Sequence, residues 1–280
     1  MRSPLFLALL LLLRLPAFCQ DSVDFKTVYQ PEHMYTTTSV QKTTTRISLD
    51  SGGQEIIDAM KEHGVELPMV KTQSVNSEFQ LKTGKQGDSA RMPVFMDIVK
   101  CIDDSGKAVI PAGSRIFGSV HPSDLPALDS MHAPDMDEDV KASFMKMMKD
   151  IFSQLSLPAV KVAVGQTIGV DNPVKLPFPG MDMNMKVHMD YTLTGLTGNI
   201  AHFDVAMKIN FQLSGTEAPL SGGGTGAGTV LFDTKNYFMV GQDLHMSVDM
   251  FMRPQPGTVM HIQVKTETSS SVSVEPHRWH

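Results

Sequence analysis

The feature that most constrains this chain is a strict two-residue alternation. From Met183 to Leu193 the odd positions read Met, Met, Val, Met, Tyr, Leu, and the even positions read Asn, Lys, His, Asp, Thr. Side chains alternate across a β-strand, so this pattern predicts an extended segment with one apolar and one wet face. Phe203, Val205, Met207, Ile209, Phe211 and Leu213 continue it. Leu244, Met246, Val248, Met250 and Met252 form a third row, and Met260, Ile262 and Val264 a fourth.

The intervening residues suit turns. Leu196-Thr197-Gly198 fits a hairpin loop with glycine in the left-handed position, and Asp233 to Asn236 separates Phe232 from Tyr237 and Phe238. Arg253-Pro254-Gln255-Pro256-Gly257 separates the last two strands. The result is a five-stranded antiparallel meander over about residues 182–274. Strands of eleven residues run roughly 36 Å, and long one-sided sheets curl around whatever covers their apolar face. Residues 136–155 offer a cover. Val140, Phe144, Met147/Met148, Ile151 and Leu155 recur at helical spacing, and Asp135, Asp137, Glu138 and Asp139 sit where a helix N-terminus favours acids.

The expected fold is therefore α+β, mainly antiparallel β: a long-stranded curved sheet or half-barrel covered by one or more amphipathic helices. The chain divides into five regions: a leader over 1–19, an N-terminal β-rich half over 20–121, a linker and amphipathic helix over 122–157, the meander region over 158–274, and a frayed tail over 275–280. Within the first half, Met34 to Leu49 reads as extended and Thr-rich. Gln54 to Glu62 reads as a short helix, and Met69 to Leu81, Arg91 to Ile102 and Val109 to Val120 as strands. Pro122 to Met136 reads as an exposed connection. Leu67 to Lys71 (LPMVK) and Leu157 to Lys161 (LPAVK) hint at a duplication. The run Ser221 to Gly228 precedes a strand and lacks a P-loop lysine, so it is expected to be a flexible loop rather than a phosphate cradle.

The N-terminus predicts export. Arg2, the apolar run Leu5 to Leu13 and the Ala17-Phe18-Cys19 pattern make a secretory signal peptide cut after Cys19, or a lipoprotein leader cut before it. After cleavage following Cys19 one cysteine remains, Cys101, expected as a buried apolar filler. With Arg2 and Arg14 removed, 22 basic face 30 acidic side chains, a net charge near −8 that argues against nucleic acid as a partner. The lack of disulfides and of Asn-x-Ser/Thr sequons fits a bacterial periplasm, envelope or extracellular space.

No nucleophile motif and no HExxH occurs, so no catalytic residue, cofactor or metal ligand is assigned and an enzyme is not supported. His188, His202, His245 and His261 fall on the polar face, as do Asp190 and Asp204. Facing carboxylates are destabilising, which favours a register that sets Asp204 opposite Thr192. The candidate ligand-binding residues are Met183, Met185, Met189, Met207, Met246, Met250, Met252 and Met260. All lie on the apolar rows, where valine and isoleucine would make better strands, and flexible thioethers adapt to varied apolar partners. Three readings stand: a non-catalytic exported protein that holds a lipid, another apolar ligand or a lipidated partner; an envelope scaffold that contacts another protein; and Cu(I) or Ag(I) handling through thioethers. Oligomeric state is open.

The leader, the helix ending in LPAVKVAVGQT (Leu157 to Thr167) and the hairpins after it resemble exported bacterial families of unknown function built on long antiparallel sheets. The resemblance covers mainly residues 138–252. In architecture the chain is also similar to envelope lipoprotein-carrier half-barrels, which implies a curved sheet wrapped over an apolar cavity.

Overall fold

The structure is a computed structural model. It describes residues 21–278 apart from positions 52, 63, 65, 89, 155–158, 179–180, 215–219 and 254–256. Side chains are likewise not described at 51, 55–56, 59–60, 151, 154, 174–178, 181–184, 212–214 and 220. The expected leader over 1–19 and its Cys19 lie outside the described residues, as do Leu157 and Pro158 of the second LPxVK stretch.

Two-residue alternation shapes most of the fold. The described chain forms β1 (Ser22–Lys26), β2 (His33–Ser51), α1 (Gln54–Glu62), β3 (Met69–Thr83), β4 (Met92–Asp103), β5 (Arg115–Val120) and β6 (Ala127–His132). After these come α2 (Glu138–Gln154), β7 (Ala159–Ala163), β8 (Thr167–Phe178), β9 (Met181–Thr197) and β10 (Ile200–Ser214). The last three are β11 (Leu220–Asp233), β12 (Phe238–Met252) and β13 (Val259–Pro276). Eleven strands make one antiparallel sheet in the order β6-β5-β4-β3-β2-β13-β12-β11-β10-β9-β8, and β1 with β7 makes a separate ribbon. The sheet is long and curved and is not closed into a barrel. The mainly antiparallel, curved-sheet expectation holds, and the five meander strands are β9 to β13.

Turn chemistry sets the registers. Gly198 has φ +60°, where a side chain would be strained, and it joins β9 to β10. At the next turn but one, Asp233 Oδ1 accepts from the Lys235 and Asn236 amides at 2.8 and 3.2 Å. A bulge between His202 and Phe203 lets Asp204 face Thr192 while Asp190 faces Ala206, so the two carboxylates are not opposed.

Three apolar clusters cover one face of the sheet. The largest is built on β1 and β7: Phe25, 1% exposed, packs on Tyr191, Phe203 and Phe232 at ring-centroid distances of 5.4, 4.5 and 5.1 Å. Val23 and Val162 complete the ribbon's inward row. The segment after β1 then carries Tyr29 onto Tyr35 and Phe238, both 5.5 Å away. The third cluster seats α2 on Ile116 and Leu128.

Several expectations are corrected. The meander is covered chiefly by the β1–β7 ribbon, and the helix sits at the sheet's margin, touching both edge strands, β6 and β8. Its packed side is Phe144, Met145, Met148 and Phe152, whereas Val140 and Met147 are exposed. Phe144 and Met148 belong to the expected stripe, Met145 and Phe152 do not, and the Ile151 and Leu155 side chains lie outside the described residues. Pro122 to Met136 is not merely a connection, since it contains the edge strand β6. Ser221 to Gly228 is not a flexible loop but part of β11, paired with β12 throughout and with β10 from Gly223 onward. Alternate glycines there remove side chains from the crowded face while Thr225, Ala227 and Thr229 keep the outer row. The strand expected from Val109 starts at Arg115, after the turn at Gly113. The tail is tied down through residue 277, whose amide donates to the Glu32 carbonyl at 2.6 Å. Cys101 is buried and free, as expected, and burial raises its thiol pKa.

Candidate functional site

The covered face changes character along the strands. Near the ribbon it is filled. Toward the other end, where β9 to β13 and β2 run on past β1 and β7, Met185, Val187, Met246, Met250, Met252, Met260 and Ile262 are half-exposed, while Ile209 and Val248 among them stay buried. Seven of the eight candidate methionines, Met185, Met189, Met207, Met246, Met250, Met252 and Met260, are half-buried on this face; the Met183 side chain lies outside the described residues. Met189 and Met207 face each other across β9 and β10, and both pack against the Phe25 cluster. Met252 faces Met260 at the far rim.

Between these walls runs a floor with no side chains. Gly222, Gly224, Gly226 and Gly228 stand opposite Met250, Val248, Met246 and Leu244 on β12, and the last three also opposite Ile209, Met207 and Val205 on β10. Two strand spacings, roughly 9.6 Å, separate the β10 and β12 walls. The neighbours lean in: a Cβ on Gly226 would lie 2.5 Å from the Met207 Cε, and one on Gly224 would lie 2.8 Å from the Val248 Cγ2. Unbranched methionine swings out of such a position at low cost. Sequence reasoning missed this floor, although glycine at every second position next to Thr was a legible strand signal.

A second zone, built partly on the Thr-rich stretch over Met34 to Leu49, lies on β13, β2 and β3. Thr268 and Thr266 stand opposite Leu244 and Met246, and Gln41 and Thr43 stand next to them on β2. The methionine wall therefore meets a hydroxyl- and amide-bearing one along the β12–β13 ladder. Where it approaches the ribbon, Thr37, Gln242 and Ser270 join Tyr29, Phe238 and Met239 around a cleft of about 240 Å³. None of the seven described candidate methionines lines it.

The outer face carries the charges. His188 lies between two carboxylates, its Nδ1 2.7 Å from Asp171 Oδ1 and its Nε2 3.2 Å from Asp190 Oδ1. Lys186 Nζ is 3.0 Å from the other Asp171 oxygen. The Asp171 hydrogen bond, then the two nearby charges, raises the His188 pKa, and the hydrogen bonds from His188 and Lys186 lower that of Asp171. Acid on both ring nitrogens favours the charged imidazole, which suits a clamp between β8 and β9 better than a general base. On the same face His261 Nε2 lies 2.8 Å from Asp249 Oδ1, and its ring stacks on Phe251 at 4.5 Å. Among the described residues no group of three or more His, Cys, Asp or Glu could hold a metal ion. On the covered face Tyr191, its phenol pKa pushed up to about 12 by burial, donates its hydroxyl hydrogen bond to the Met189 sulfur at 3.5 Å.

No family model matches the chain, and no curated protein matches it. Among solved structures, a chain described as "Asymmetric conductivity of engineered proteins" and a mutant Rh. blastica porin each show 10% identity. Each alignment covers 85% of this chain and 100% of the other, with a TM-score of 0.27, and a likeness that loose carries no argument about fold or function.

Proposed function

We propose that this is a non-catalytic exported protein of the bacterial envelope that holds an apolar ligand, or the acyl chain of a lipidated partner, on the far half of its covered face. The observation that carries this reading is the row of half-exposed apolar residues past the ribbon, from Met185 and Val187 through Met246 and Met250 to Ile262 and Met260. A single-sided apolar surface of this extent is normally covered in water. The opposite face supports the assignment of sides. Lys186, His188 and Asp190 on β9, Lys208 on β10, Asp249 on β12 and Lys265 and Glu267 on β13 all point outward. A transmembrane barrel presents an apolar band there, so the ligand belongs to the inner side and not to a surrounding bilayer.

The test is purification from cells without detergent, extraction with organic solvent and mass spectrometry of the extract, with Met246→Asp and Met250→Asp run beside the native chain. A stoichiometric lipid with the native protein, lost in both variants, is the expected result. An empty native protein that also fails to enhance the fluorescence of an apolar dye would overturn the reading.

A further inference from the structure

We propose that the ligand is an amphiphile whose headgroup is uncharged and polyhydroxylated, an inference that rests on the apolar-site reading above. Beyond the apolar stretch Met260 to Val264 of β13, the β12–β13 ladder divides the covered face in two. On one side stand Met207, Met246, Val248 and the glycine floor. On the other, Gln41, Thr43, Gln73, Thr266, Thr268 and Ser270 supply hydroxyls and amides. The boundary is direct, because Leu244 pairs with Thr268 and Met246 with Thr266. Side chains opposed in this way have Cβ atoms about 5 Å apart, so one small molecule bridges both zones.

Charge separates this zone from an ordinary wet surface. On the outward side, the same three strands carry Lys42, Arg46, Glu78, Lys265 and Glu267. On the inward side, among the described residues of β13, β2 and β3, the single charge is Lys71, at the margin opposite Thr45. Charges are thus excluded from one face of strands that use them freely on the other. An anionic or cationic headgroup would find no counter-ion there, whereas hydroxyl and amide groups donate and accept equally well toward a polyol. The zone is also under-engaged internally. The Thr43 and Thr266 hydroxyls are 3.5 Å apart and Gln41 Nε2 reaches Thr43 at 3.4 Å, both long for such bonds. A tail over Gly224 and Gly226 would place a headgroup two or three strands away on these rows.

The test holds the tail constant and varies the head. Decyl maltoside, decyl sulfate and decyltrimethylammonium, each below its micellar concentration, are titrated into the full chain carrying an apolar fluorescent probe. Displacement by the maltoside at about tenfold lower concentration than by either ion is expected, in line with the discrimination a hydroxyl-reading site achieves. The paired substitution Thr43→Val with Thr266→Val should reduce that ratio several-fold while decyl chains still displace the probe. Equal displacement by all three, or a preference for either ion, overturns the headgroup inference and leaves the apolar site standing. An unchanged ratio in the paired variant also overturns it. No displacement by any of the three overturns the apolar site itself, and this inference with it.

Discussion

Replacing Gly228 with Ala is the sharpest test of how the glycine strand is built. The added Cβ would lie 1.9 Å from the Asp243 carbonyl oxygen and 2.9 Å from the Leu244 Cα, both backbone atoms of β12. No rotamer change relieves a clash with a neighbouring strand's backbone, so β11 and β12 must part locally. Overpacking typically costs 1–3 kcal/mol, and a backbone collision belongs near the upper end, about 3 kcal/mol. For a chain of this size each kcal/mol moves the melting temperature by about 2–4 °C, so a fall of about 6–12 °C is expected. Gly195→Ala is the control, because its Cβ meets nothing within 4 Å. There the lower entropy of the unfolded chain should leave stability unchanged or raise it by up to about 1 kcal/mol. Urea titration with thermal melts on both variants gives the comparison. Equal stability of Gly228→Ala and Gly195→Ala would refute the close apposition of β11 on β12, and with it the floor of the candidate site.

Phe25→Ala empties the centre of an aromatic cluster buried at 1% exposure, and should cost about 3–5 kcal/mol in urea denaturation; a cost under about 1 kcal/mol would show that the ribbon does not plug the sheet. His188→Asn should affect stability in a pH-dependent way. Its pKa is raised from 6.5 in the folded state, so its contribution is fully present below that value and fades as pH rises through the folded pKa. The native chain's small advantage in urea midpoint should therefore be greatest below the ordinary imidazole pKa and fade as pH rises above it; an advantage that grew with pH would refute the clamp. Cys101, with a buried thiol and a raised pKa, should react with iodoacetamide at least about tenfold more slowly in the native chain than in urea, followed by peptide mass at that residue.

Much of the meander was legible because its strands are one-sided. Phe203 to Leu213 alternates without a break, and the structure sets Val205, Met207 and Ile209 on the covered face as that pattern requires. The ribbon was not legible. β1 and β7 are five residues each and meet across more than 130 residues of chain, Ser22 pairing with Ala163, and no local pattern announces such a pairing. The glycine strand was misread because glycine favours loops in isolation, while here the neighbours' backbones demand it. The methionine rows were legible as a face, but their division into a filled and an uncovered half was not, since that depends on where the ribbon ends. The Thr-rich strand over Met34 to Leu49 was legible, but hydroxyls on both of its faces hid the difference between an inward row free of charge and an outward row containing Lys42.

The helix α2 touches both margins of an eleven-stranded sheet, β6 and β8. In a closed barrel the circumference is fixed by an unbroken ring of ladder hydrogen bonds. Here the joint between the two margins is the helix, seated on the β5–β6 side by Met145 against Ile116 and Leu128. The two edges are therefore bridged by the packing of a helix and not by a strand ladder, while every strand keeps its partner. Pro173 and Pro177 on β8 leave that edge short of amide donors, so it does not become a template for a second chain.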